Sequence, residues 1–192
     1  MRMFVALVPP DEAIDHLDEF LAVRREAAPF RWTLPEQIHV TLSFLAQVPD
    51  RRLDDLVERL ERAARRRTPV TTRVTGGGAF PNPSRARVLW AGLDLDDAGR
   101  TEVSRMATGA RAAASKAGIE VDGQRFRAHL TLARLGRPDE VSSWVRLLDG
   151  YCGPAWETTE WTLIASHLGE GPRKRPRYEV VETFRVGPAV TR

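Results

Sequence analysis

The chain has 192 residues, 42% hydrophobic and 29% charged. That balance supports a packed core and excludes the low-hydrophobicity composition of a disordered chain. The net charge is +3 with lysine only at positions 116 and 174, which suits a polyanionic ligand but equally an arginine-rich composition. Cys152 is the only cysteine, so an intramolecular disulfide is excluded. No stretch approaches the roughly 18 apolar residues of a membrane span. The N-terminal apolar run is too short for a signal peptide, so a cytoplasmic protein with no membrane contact is expected, and a monomer.

The elements follow in chain order. Met3–Val8 (MFVALV) reads as a buried strand stopped by Pro9-Pro10. Asp11–Glu26 places Ile14, Leu17 and Leu21 at helical spacing behind an acidic first turn. Arg31–Pro35 (RWTLP) reads as an extended linker and Gln37–Leu45 (QIHVTLSFL) as a strand, with Ile38, Val40, Leu42 and Phe44 on one face. Asp50–Arg67 is a second helix and Val70–Val74 another strand, followed by a Gly/Pro break, GGGAFPNPS. The order then recurs. Arg87–Leu93 is a strand, Gly99–Ala117 a helix ended by Gly118, Arg127–Leu135 a strand, Pro138–Leu148 a short helix, and Trp156–Ala165 and Tyr178–Val186 strands. Each half reads strand, helix, strand, helix, strand. This predicts a single domain over 1–192, with two lobes from approximate repeats at 1–78 and 85–186 related by a pseudo-twofold.

Two tetrapeptides carry the chemistry: His39-Val40-Thr41-Leu42 and His129-Leu130-Thr131-Leu132. On a strand, residues i and i+2 share a face. Each motif therefore presents one imidazole and one hydroxyl together and sends two apolar residues to the core. Two such strands facing each other suit phosphodiester cleavage. One imidazole takes a proton from water and the other protonates the departing oxygen, on opposite sides of phosphorus. The hydroxyls donate to the non-bridging oxygens as their charge grows. Arg127, at i−2 from His129, shares the His129 face. Arg134 falls on the other face unless a bulge re-aims it. Either can hold a phosphate. Phe44, Trp32 and Phe126 are candidates to stack on a base. His16 and His167 read as peripheral. HxH, HExxH and CxxC spacings are absent, so neither a metal nor another cofactor is expected. Gly76-Gly77-Gly78 lacks the following Lys-Ser/Thr of a phosphate loop and reads as permitting a bend or a close backbone approach.

These residues resemble the two-histidine phosphoesterase superfamily, and within it the bacterial RNA 2′,3′-cyclic phosphodiesterases, historically called 2′-5′ RNA ligases. The resemblance runs through MFVALVPPDEAIDHL, RWTLPEQIHVTLSFLAQVPD, GGGAFPNPSRARVLWAGL, FRAHLTLARL and LIASHLGEGPRKRPRYEVVETFRV. It implies an α+β fold whose two antiparallel sheets line a central cleft, with helices outside. It implies hydrolysis of RNA 2′,3′-cyclic phosphate ends, or of small cyclic nucleotides, to 2′-phosphates. His39 is then the proton donor and His129 the proton acceptor, with Thr41, Thr131 and Arg134 on the phosphate. The same groups serve RNA joining in reverse, and a non-catalytic RNA-end binding module is the remaining alternative. Ala128 stands where the family often has proline.

Overall fold

The computed structural model describes residues 1–188. Ten strands and four α-helices occur in this order: β1 (Met3–Leu7), α1 (Asp11–Arg25), β2 (Arg31–Trp32), β3 (Val40–Leu45), α2 (Leu53–Ala64), β4 (Thr71–Thr72), β5 (Val74–Phe80), β6 (Ala86–Leu93), α3 (Asp97–Lys116), β7 (Leu130–Asp139), α4 (Ser142–Asp149), β8 (Trp156–Glu157), β9 (Glu160–His167) and β10 (Arg177–Arg185). The fold is α+β. Eight strands form one antiparallel sheet in the order β10-β9-β1-β3-β7-β6-β5, with β2 pairing on β7, and β4 and β8 form a small separate ribbon.

The sheet is nearly symmetric about the β3–β7 seam. Each half of the chain runs β-α-β-α-β, as β1-α1-β3-α2-β5 and β6-α3-β7-α4-β9. The third long strand of each run crosses over: β5 pairs with β6, and β9 pairs with β1. The two halves of the sheet are therefore not the contiguous segments 1–78 and 85–186, because the β3 side takes β9 and β10 from the later part of the chain and the β7 side takes β5 and the short β2 from the earlier part. The seam itself is a single residue pair, Val40 opposite Leu130, the second residues of the two H-x-T motifs.

The core follows from burial on one face of this sheet. Val5, Leu7, Val40, Leu42, Leu89, Leu130 and Leu132 are buried with Leu56, Leu60, Val103, Met106 and Ala110 of the helices. α2 packs on α3, α3 lies across β3, and α4 packs on β5. The other face carries a smaller cluster of Phe4, Ala6 and Ile164 with Phe44 and Tyr178 against it, so β1 is buried on both faces. Asp96 caps α3 by accepting from the Gly99 N–H, which satisfies a first-turn donor.

Several expected boundaries shift for physical reasons. Gly76–Gly78 is not a break but part of β5, paired with β6 through a bulge. Gly76 takes the bulge position at φ +70°, a conformation that favours glycine. Gly78 gives up a side chain to the Trp90 indole, which a Cβ there would strike. The extended segment Arg31–Trp32 forms a short strand on β7. The strand expected from Gln37 starts only at Val40, because Pro35–Gln37 closes a 3₁₀ turn. β7 continues to Asp139, so the helix expected from Pro138 begins at Ser142. Among the described residues, no helix is long and apolar enough to cross a membrane.

Candidate active site

The site is built where the two motif strands meet. With Val40 opposite Leu130, antiparallel register sets His39 beside Thr131 and Thr41 beside His129. All four residues line one cavity of about 290 Å³, while Val40 and Leu130 lie fully buried beneath it. The arrangement brings together two imidazoles and two hydroxyls from chain positions about ninety residues apart.

Both imidazoles are held in the same way. His39 Nδ1 lies 2.7 Å from the Gln37 carbonyl oxygen, and His129 Nδ1 lies 2.7 Å from the Arg127 carbonyl oxygen. A carbonyl only accepts, so Nδ1 carries the proton in each ring and Nε2 is left to face the cavity. His39 Nε2 stands 3.0 Å from the Thr41 hydroxyl, which donates to it when the ring is neutral. Aromatic packing fixes the rings. His39 stacks on Phe4 at 4.6 Å and meets the edge of Tyr178 at 5.7 Å. His129 meets the edge of Phe80 at 4.9 Å.

Identical bulges in the two motif strands decide what else reaches the cavity. Opposite β1, the register of β3 slips so that Leu42 and Ser43 both turn inward, at 1% and 2% exposure. Opposite β6, the register of β7 slips so that Leu132 and Ala133 both turn inward, at 1% and 0% exposure. Two consecutive buried residues restart the alternation, and the next residue returns to the motif face. That residue is Phe44 in one strand and Arg134 in the other, and both line the cavity. Regular alternation would have sent Phe44 to the core with Leu42 and turned Arg134 away from His129.

The remaining candidates are placed as follows. Arg127 is not among the cavity-lining residues. Its guanidinium lies 5.8 Å from the Phe80 ring centre, and its backbone carbonyl is what serves His129. Trp32 lines the cavity, and Phe126 packs against the main core instead. His16 bonds to the Tyr151 hydroxyl at 2.8 Å, and His167 to Glu179 at 3.0 Å, both outside the cavity. Among the described residues, no group of three or more His, Cys, Asp or Glu side chains comes together to hold a metal. Sequence reasoning missed Phe4, Gln37 and Tyr178. Only Gln37 carried a signal, since it stands at i−2 from its histidine as Arg127 does.

The cavity is electropositive. Arg2, Arg31, Arg134 and Arg175 line it, and among the described residues no carboxylate does. Loss of hydration pushes the His39 imidazolium down from 6.5 to about 4; the hydrogen bond to the Gln37 carbonyl opposes this, and the positive charges of His129 and Arg134 add to it. Loss of hydration also lowers His129, opposed by the Arg127 carbonyl and aided by Arg134. A depressed histidine makes stability pH-dependent. Between pH 6.5 and about 4 the unfolded chain takes up a proton at His39 that the folded chain refuses. The folded state is then least penalised above pH 6.5, and loses up to roughly 3 kcal/mol as pH falls to 4. Urea unfolding across this range should show that slope in the wild type and a flatter one in His39→Asn.

Known proteins are similar to this chain along nearly its whole length. The family described as LigT-like phosphoesterases matches residues 7–90 and 93–173. An RNA 2′,3′-cyclic phosphodiesterase of Archaeoglobus fulgidus is 33% identical over 96% of this chain and 99% of its own. Its counterpart in Thermus thermophilus is 31% identical over 96% of this chain and 89% of its own. A solved structure from Thermus thermophilus superposes with a TM-score of 0.79 at 30% identity, covering 98% of this chain and 99% of its own.

Proposed function

The chain belongs to the LigT-like phosphoesterase family, and on that premise we propose that it opens the 2′,3′-cyclic phosphate at an RNA end to a 2′-phosphomonoester. The single observation that carries the reading is the pair of equivalent imidazoles, each tied at Nδ1 to its own i−2 carbonyl, flanking one carboxylate-free, arginine-lined cavity. Relatives covering nearly the whole chain are RNA 2′,3′-cyclic phosphodiesterases.

The two rings are held alike, and the roles assigned to them here are those the family resemblance implies. In this reading the cyclic phosphate sits in the cavity that both rings line, with phosphorus between the two Nε2 atoms. His129 takes a proton from water as the water oxygen attacks phosphorus. The bond from phosphorus to the 3′ oxygen breaks, and His39 gives that oxygen its proton. The 2′ ester bond stays intact, so the product carries a 2′-phosphate. Thr41, Thr131 and Arg134 donate to the non-bridging oxygens as their charge grows. The same donors hold the ground-state anion, so only the part of their bonding that strengthens during attack raises the rate.

As an acid His39 must be protonated, yet its surroundings hold it near 4. The bound phosphate monoanion resolves this. It offsets Arg134 and favours the imidazolium. The alkaline limb of kcat/KM, which reports the free protein, is therefore expected at lower pH than the alkaline limb of kcat. Coincident limbs would count against His39 as the acid.

The test is a 2′,3′-cyclic-ended oligonucleotide incubated with the protein and excess chelator. The reading expects turnover and a 2′-monophosphate product. A 3′-monophosphate would reverse the assignment of leaving oxygen, and absence of product would end the proposal.

A further inference from the structure

A 2′,3′-cyclic phosphate is a monoanion, and one arginine beside two imidazoles is enough to hold it. The cavity supplies four. Besides Arg134, it is lined by Arg2 at the start of β1, Arg31 on β2 and Arg175 on the β9–β10 hairpin. None of these four has a carboxylate within ion-pair distance among the described residues, although exposed arginines nearby do. Arg177, two residues past Arg175, is held by Glu170 at 2.8 Å and Glu179 at 3.2 Å. The three additional arginines arrive from three separate elements, so their convergence is not a consequence of one basic segment.

Their supports are specific. Arg31 is paired directly with Arg134 across β2 and β7, two cations side by side that oppose each other unless anions lie between or beyond them. The Arg2 guanidinium lies over the Phe44 ring at 4.5 Å, which holds it against the cavity wall without neutralising it. The hairpin arm that carries Arg175 is anchored where it meets the site: Gln37 Nε2 donates to the Pro176 carbonyl at 2.6 Å. The carbonyl of that same Gln37 fixes His39. A cavity of about 290 Å³ lies at the lower end of small-molecule sites. It holds a terminal nucleotide rather than a longer chain, so further nucleotides must leave over its rim.

We propose that Arg2, Arg31 and Arg175 form a subsite for the internucleotide phosphates upstream of the cyclic end, making an oligonucleotide rather than a cyclic mononucleotide the preferred substrate. The inference rests on the phosphodiesterase reading and deepens it. The internucleotide phosphates of a single strand lie on the 5′ side of the terminal residue, away from the cyclic phosphate, and each one engaged by an arginine adds a salt-sensitive contact.

The experiment compares a nucleoside 2′,3′-cyclic phosphate with di- and trinucleotides ending in the same cyclic phosphate, at several salt concentrations. The wild type should show kcat/KM at least roughly tenfold higher for the trinucleotide than for the mononucleotide at low salt. Its dependence on log salt should also be steeper. Arg2→Gln, Arg31→Gln and Arg175→Gln should each lessen the trinucleotide slope, by up to about 0.7 singly and about 1.4 in the triple variant, since a trinucleotide carries two internucleotide phosphates, and the triple variant should bring the trinucleotide-to-mononucleotide ratio toward unity. The single variants keep the test informative if the triple variant folds poorly. Equal kcat/KM for all three substrates in the wild type, or a ratio preserved in the variants, overturns the subsite while leaving the phosphodiesterase reading standing. Failure of the wild type to open any of the three overturns that reading, and the subsite with it.

Discussion

Replacing either His39 or His129 by alanine is expected to lower the rate of cyclic-phosphate opening by about 10²- to 10⁴-fold, the range for loss of a positioned general acid or base. The expectation rests on geometry shared by the two rings. Each has Nδ1 committed to a backbone carbonyl 2.7 Å away, which leaves one nitrogen to exchange a proton with the substrate. Asparagine in either place keeps a polar group but cannot cycle a proton, so it should be nearly as damaging. The double variant should lose little more than the worse single one, because the two groups act in one concerted displacement. Neither change should unfold the protein, since both residues stand just before their strands rather than within the core. Single-turnover rates with circular dichroism on each variant check both halves of the prediction.

Replacing Arg134 by alanine should carry the next largest penalty, about 10² in kcat/KM. Arg134 is the fixed cation nearest the catalytic pair in electrostatic effect, acting on both His39 and His129. Two consequences of its removal oppose each other. The transition state loses a charge-assisted donor, which slows the reaction. The imidazolium of His39 loses a repelling neighbour, which raises its pKa toward the ordinary range. Arg134→Ala should therefore lower kcat/KM while moving the alkaline limb of its pH profile upward. A purely structural role would lower activity with no such movement. Lysine should rescue only in part, because a point charge does not reproduce the planar fork of donors.

Much of this site was legible in the sequence, and the limits of that legibility have a physical origin. The H-x-T-apolar pairs were visible because strand periodicity makes two hydroxyl–imidazole pairs out of short local patterns. The repeat of elements was visible because helix and strand periods alternate twice. What the sequence hid was non-local. The exchange of β5 and β9 between the two halves of the sheet leaves no trace in either strand's own residues. The paired bulges at Leu42-Ser43 and Leu132-Ala133 are likewise set by neighbouring strands, and they decide that Phe44 and Arg134 reach the cavity. Arg127, chosen by simple alternation, contributes its carbonyl to His129 rather than its side chain to the cavity. The stack of Phe4 on His39 joins residues of adjacent strands whose register only the folded sheet supplies.

The most direct measurement of the central claim uses a cyclic substrate in which sulfur replaces the 3′ oxygen. A thiolate departs without needing a proton, so a protein lacking its acid should be spared while one lacking its base should not. Two imidazoles acting from opposite sides of one phosphorus predict that His39→Ala regains most of its lost rate on this substrate and His129→Ala regains none. Equal rescue of both variants, or rescue of His129→Ala alone, would contradict that division of labour.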